Sequence, residues 1–331
     1  MKRFLAIVLL AWMVGSLPGC TSRGPDDSAQ RQFVSLGTAG PGGAFFVVGG
    51  AISEVLNENR GREKWEVTAE ATKGSQENIR RLARGEMELA LSNAAISYFA
   101  VRGEQGWDRA YPIRSVMTLA PNVAMFITPK SSGVATIPDL RGKRVLVGPG
   151  GAGFEYFLRP LLEAHGLTYD DFTPLYYGTQ AAAVDMLGDG SAAAAFLGGA
   201  VPTASVSQAS ISQDIHFVPF DENRVSELTT RYLFFNRATI PSGTYRGQED
   251  DFHGLDVGSM HLITTANTSE DLVYNLTRTI YENRDQVTAR HAAGRAINPK
   301  NVVRDTGTQF HPGAIRYYKE IGIWPAEEAP D

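Results

Sequence analysis

The chain has one cysteine, Cys20, at the end of a leader-like stretch. No disulfide can brace the remainder of the chain, and no thiol there can attack a substrate or ligate a metal. Basic residues are thin too. The 31 Lys and Arg stand against 36 Asp and Glu, a formal charge of −5, and no basic run is dense enough to track a phosphate backbone. Nucleic acid is excluded as a partner. Long apolar runs are missing apart from 4–17, which excludes a multi-span membrane protein. The six histidines are scattered, with no pair at the spacing of helical metal ligands. Neither G-x-S-x-G nor G-x-x-x-x-G-K-[ST] occurs, so serine hydrolysis and triphosphate binding have no motif. The chain reads as a binder and not as an enzyme, with no catalytic residue, metal or cofactor.

The residues that are present begin with the leader. Lys2 and Arg3 precede an apolar core too short to span a bilayer comfortably, and Leu17-Pro18-Gly19 runs into Cys20. Small residues before a lone Cys resemble the bacterial lipoprotein cleavage site. Residues 1–20 are then a signal peptide and Cys20 the lipidated first residue of an exported chain on the periplasmic face of a bacterial membrane. An ordinary signal peptide or a short anchor helix stays open. Residues 21–32 are polar and turn-rich, a flexible tether.

Glycine is plentiful, 34 residues in all, and it gathers where strands give way to helices. An apolar run at 33–36 leads into the loop 37–46, which contains Gly40, Gly42 and Gly43, and then into helical spacing over 47–59. Strand, glycine loop and helix together aim unpaired backbone N–H groups and a positive helix end at one point, which suits an anion. A tight packing turn is the alternative for any single such loop. A strand at 65–71 comes next, then Thr72 to Ser75 and a helix opening at Gln76 with Ser75 as its N-cap. The strand after it, 88–92, ends at Asn93. After strands at 115–120 and 123–128, the same syntax repeats: strand 144–147, loop 148–153, helix 154–165, strand 173–177, helix 179–187 and strand 192–197 running into Gly198-Gly199. Two such halves suggest a ligand cleft between lobes. From 215 the pattern is less regular, and its segments are expected to return to the first lobe. Residues 148–153 satisfy G-x-G-x-x-G, but no acid closes the following strand at Tyr177-Gly178, which argues against a dinucleotide site.

Six segments together resemble the solute receptors of TRAP transporters, TAXI subfamily: 37–46, 70–78, 140–155, 197–202, 240–248 and 311–318. The resemblance runs from Phe33 to Trp324. It implies an α/β, two-lobed periplasmic-binding-protein type II fold, each lobe a mostly parallel sheet flanked by helices. The lobes would be 33–127 with 222–331, and 128–221. It also implies a receptor that closes on a small organic acid and delivers it to a sodium-driven TRAP permease. Lipid anchoring is a less usual variant among such receptors. The ligand would meet Gly40, Gly42, Gly43, Ala44, Phe45, Phe46, Thr72, Ser75, Asn78, Ser92 and Asn93 in one lobe. The other lobe would offer Gly150, Ala152, Gly153, Phe154, Gly199 and Val201. The chain departs from the family at Ala44, Phe45, Phe46, Ala152 and Phe154, where polar residues are usual. A less polar acid than glutamate is expected, unless Phe45 and Phe46 simply pack beneath the loop. The alternatives are the binding lipoprotein of an ABC importer and a ligand-sensing lipoprotein that signals to a partner. An enzyme on the same scaffold is a third.

Overall fold

The structure is a computed structural model that describes residues 32–41 and 43–325. The leader, Cys20 and the tether up to residue 31 lie outside the described residues, as does Gly42. Strand and helix alternate from the start. β1 (Gln32–Gly37) leads to α1 (Ala44–Glu58), β2 (Trp65–Glu70) to α2 (Ser75–Ala83), and β3 (Leu89–Asn93) to α3 (Ala94–Arg102). β4 (Ile113–Thr118) and β5 (Val123–Pro129) come next, then β6 (Arg144–Pro149), α4 (Glu155–Ala164), β7 (Thr173–Tyr177) and α5 (Gln180–Gly188). They are followed by β8 (Ala194–Gly199), α6 (Ala204–Ser212), β9 (Ile215–Val218) and α7 (Glu222–Arg231). β10 (Phe235–Ile240) and β11 (Phe252–Val257) pair with each other. β12 (Met260–Thr265), α8 (Glu270–Glu282), α9 (Arg284–Arg290) and α10 (Pro312–Glu320) complete the chain.

Two sheets result. One has the order β2-β1-β3-β12-β4 and the other β10-β11-β5-β8-β6-β7, with β9 on the far half of β5. The βαβ units pair in parallel, β1 with β2 and β3, and β6 with β7 and β8. Antiparallel pairs form around the strands where the chain changes sheet, β12 with β3 and β4, and β5 with β8 and β11. The apolar periodicity of α1 is real burial: Val48, Ala51, Ile52, Val55 and Leu56 all face the core. β3, paired on both sides within its sheet, is buried at every residue.

Several elements differ from the sequence expectation. Gly74 caps α2, with φ 101°, and Ser75 is the first helical residue. The Ser75 hydroxyl oxygen is taken by the Asn93 N–H at 3.0 Å instead of capping the helix. α3 is hidden in the sequence because it follows β3 with no turn residue between them. Its punctuation is Asn93 itself, whose Oδ1 accepts the Ala95 N–H at 2.8 Å. The sheets also divide elsewhere than expected. β5, β10 and β11 lie in the second sheet, so the chain crosses at 119–122 and 258–259, not near 127 and 221. The pairing of Leu255 with Ala124 and Asp256 with Val123 holds the β10–β11 hairpin there, a long-range contact with no local sign.

The crossing segments lie side by side. The N–H of Leu119 donates to Met260 O and that of Met260 to Ala120 O, both at 2.8 Å, while the Val257 N–H reaches Asn122 O at 3.0 Å. Beside these crossing segments the lobes share an aromatic seam. Tyr98 and Phe99 of α3, with Trp107, pack on Tyr156, Tyr232 and Phe234 of the second lobe, with ring centroids 5.1–6.1 Å apart. One apolar cluster therefore runs from α3 into the second sheet.

A polar chain is buried in the same region. His261 Nε2 lies 2.8 Å from Ser97 Oγ, which donates to Ser92 Oγ at 2.9 Å, and Ser92 donates on to Asn93 O at 3.2 Å. Burial, helped by the Arg304 charge, pushes the His261 imidazole from 6.5 down to about 3. In the unfolded chain it takes a proton near 6.5 and in the folded chain only near 3. Stability is therefore fully present above 6.5 and falls as pH drops toward 3, by up to about 1.4 kcal/mol per pH unit from this one group. Urea unfolding at pH 6.5 and pH 5 should differ by about 1.5 kcal/mol on its account. His261→Gln should remove that share; an unchanged acid slope in the variant would show that the imidazole is not held neutral.

Candidate functional site

Helix N-termini of both lobes converge where their sheets present the carboxyl ends of parallel strands, and there a cavity of about 270 Å³ opens. The first lobe contributes Ala39, Gly43, Ala44 and Phe45 at the start of α1, Lys73 to Ser75 at the start of α2, and Asn93 and Ile96 at the start of α3. Across from them stand Pro149, Ala152, Phe154 and Phe157 around the start of α4, and Gly198 to Ala200 after β8. The crossing segments and the start of β12 add Ala120, Pro121, Asn122, Gly258 and Met260, and the turn after α9 adds His291 and Ala293.

The two lobes touch beside the cavity. A Cβ on Gly153 would lie 2.8 Å from Ile96 Cδ1 and 3.2 Å from Gln76 Nε2, and its φ of 86° is one that glycine adopts freely. Gly258 is held as tightly: a Cβ there would come within 2.4 Å of Asn93 Oδ1 and 2.8 Å of the Ala95 nitrogen. Asn93 also donates to Gly258 O at 2.6 Å, so its amide joins the α3 cap to the crossing.

The wall is mostly apolar. Lys73, exposed at its rim, is the one charged side chain among the described residues that line it. Ser75 is nearly fully buried. Its oxygen accepts the Asn93 N–H, and its own proton has no acceptor among the described residues. The Asn122 side-chain amide has no hydrogen bond among the described residues. His291 Nδ1 accepts the Ala293 N–H at 3.1 Å, which leaves Nε2 to carry the proton. The first N–H groups of α1 and α2 have no intrahelical acceptor. The arrangement can neutralise and hydrogen-bond an anion while surrounding the rest of a ligand with hydrocarbon.

Of the residues expected to meet a ligand, Gly43, Ala44, Phe45, Ser75, Asn93, Ala152, Phe154 and Gly199 line the cavity. Gly40, Phe46, Thr72, Asn78, Ser92, Gly150, Gly153 and Val201 do not, and Gly42 lies outside the described residues. The polar ones among these are committed to the scaffold. Thr72 donates to Thr38 O and accepts the Gly74 N–H, both at 3.0 Å. Asn78 donates to Thr38 O at 2.7 Å and Leu91 O at 2.8 Å. Ser92 belongs to the chain from His261. Val201 packs on the second lobe's core. Phe45 and Phe154 do both jobs: each lines the cavity, and each also packs on a core cluster. Sequence reasoning missed Lys73, Asn122, Met260 and His291. Lys73 stands inside the 70–78 segment, and the other three reach the cavity only through tertiary contacts. Thr72→Val should cost about 1–2 kcal/mol in urea unfolding through its lost hydrogen bonds, yet leave ligand affinity within about threefold. A tenfold loss of affinity would return Thr72 to the binding surface.

The comparisons with known proteins agree with this architecture. Solved structures of like fold include PhnD1 of Prochlorococcus marinus in complex with methylphosphonate, at 10% identity and TM-score 0.53, covering 88% of this chain and 96% of that one. A binding protein component of an ABC phosphonate transporter from Pseudomonas aeruginosa has 10% identity and TM-score 0.53, with 80% and 79% covered. A Xanthomonas citri protein bound to chloride ion has 10% identity and TM-score 0.51, with 87% and 95% covered. The fold is thus the two-lobed one of periplasmic binding proteins, type II. The likeness to TRAP receptors of the TAXI subfamily, and the TRAP permease it implied as partner, are corrected by these findings. The matching family is a different one, and the neighbours include a component of an ABC transporter. The segments that carry the TRAP likeness include the strand–loop–helix turns that build the cleft, so they report the architecture and say nothing of a permease. The model of the NMT1-like family matches residues 36–322, almost all of the described chain, and the chain belongs to that family.

Proposed function

We propose that the protein is an exported solute receptor that takes a small anion into the interlobe cavity and presents it to the permease of an ABC importer. One observation carries the reading: helix N-termini from both lobes, with Lys73, meet at a cavity between the lobes that contains no acidic side chain among its described lining residues. The fold shared with an ABC phosphonate-binding component supports the choice of partner. Ligand binding would favour the closed arrangement through contacts made only when both lobes touch the solute. Cys20, outside the described residues, would carry the lipid that tethers the receptor to the membrane. Cys20→Ser should release the protein from the membrane fraction of cells that make it; retention would point to an uncleaved anchor helix. The function itself is tested by a thermal-shift screen of the purified protein against small carboxylates, sulfonates and phosphonates. At 100 times its Kd a ligand stabilises by about 2.7 kcal/mol, a shift of several degrees. Silence across every anion would sink the receptor reading.

A further inference from the structure

We infer that the ligand is a monoanion without an amino group, with an apolar body about the size of one aromatic ring plus a short arm. This rests on the receptor reading and deepens it. The charge is set by the make-up of the wall. Lys73 is its one charged side chain among the described residues, and no Arg, Asp or Glu joins it. Without a guanidinium there is no planar fork for a second carboxylate or for a doubly charged phosphonate. A second anionic group would have to face Phe45, Ile96, Phe154, Phe157 or Met260, where an unpaired charge is strongly disfavoured. Without a carboxylate in the wall, the ammonium of an amino acid has no counter-ion, so zwitterions are disfavoured too.

The head group's place is marked by a buried donor. Ser75 is only 4% exposed and lines the cavity. Its oxygen already accepts the Asn93 N–H, so its proton is left for an acceptor that the described residues do not supply. Lys73 and the first N–H groups of α2 flank it. The Asn122 amide, uncommitted among the described residues, is a further partner in the wall. Volume sets the size. An apolar cavity of about 150 Å³ holds one benzene, so about 270 Å³ leaves room for a ring and an anionic arm. Carboxylate and sulfonate heads share this chemistry, and the test includes both.

Isothermal titration of the purified protein with phenylacetate, benzenesulfonate, hexanoate, succinate, glutamate and methylphosphonate separates the possibilities. At least one of the first three should bind 30-fold or more tighter than each of the last three. Lys73→Gln and Ser75→Ala should each weaken that ligand about three- to tenfold, and Phe154→Ser should narrow its lead over succinate. Tighter binding of succinate, glutamate or methylphosphonate would overturn the inference and leave the receptor standing. No binding by any of the six at millimolar concentration would overturn both.

Discussion

Asp256→Ala is expected to lower stability by about 2–4 kcal/mol, because it strands the half-buried Arg304 and removes the acceptor of buried donors. Asp256 is 2% exposed at the end of β11, where the chain leaves the second lobe. Its carboxylate accepts the Asn122 N–H at 3.0 Å, the Ser259 hydroxyl at 2.5 Å and Arg304 Nη2 at 3.4 Å. Arg304 also donates to Ser259, while its Nη1 is buried without a partner among the described residues. Removing the carboxylate would orphan a backbone N–H and leave the guanidinium with nothing to offset it. Burial pushes the Asp256 carboxyl up, and Arg304 with the hydrogen-bond donors works against that. Urea unfolding would measure the loss, with a thermal midpoint lower by on the order of ten degrees. Asp256→Asn keeps one acceptor and should lose less. A cost under about 1 kcal/mol for the alanine variant would mean that the pair does not hold the crossing. The bond matters because Asn122 stands on one crossing segment and Asp256 lies at the end of β11, just before the other, so the same carboxylate ties the two connections together.

Ala152→Trp should abolish ligand binding, by at least 100-fold in Kd, while moving the thermal midpoint of the unliganded protein by only a few degrees. Ala152 is half-buried on the loop before α4 and lines the cavity. The backbone contact that shapes this loop, Ala152 N–H to Pro149 O at 3.2 Å, does not depend on the side chain. An indole at this position has the cavity's empty space to enter and little core to disturb, so overpacking strain stays small. It would occupy the volume that the ligand needs, opposite Phe45 and Lys73. Titration with the strongest ligand from the anion screen reads the effect. Affinity within threefold of the unsubstituted protein would place the solute elsewhere on the molecule.

Much of the scaffold was legible in local patterns, because each pattern reports a local cause. The apolar spacing of α1 marks its buried stripe, and the glycine loops after β1 and β6 mark places where strand must turn abruptly into helix. Those same loops pointed to Gly43, Ala44, Phe45, Ala152 and Phe154 at the cavity. Polar residues nearby were harder to read. Thr72, Asn78 and Ser92 have the right chemistry in the right stretch, yet each spends its side chain on a hydrogen bond within the scaffold. A sequence shows that a hydroxyl or amide is available but not whether a distant carbonyl has already claimed it.

By itself the amino-acid sequence determined the βαβ syntax, the two repeats of strand, glycine loop and helix, and the lack of any catalytic or metal-binding motif. These depend on backbone freedom and on side-chain periods of two and 3.6 residues, which are properties of short segments. Only the tertiary structure decided that β10 and β11 join the second sheet, that Asp256 and Arg304 lock the crossing, and that Lys73, Asn122, Met260 and His291 share one wall. Those outcomes rest on pairings between residues far apart in the chain, whose free energy is set by burial and by which partner arrives, and no window of sequence contains both partners.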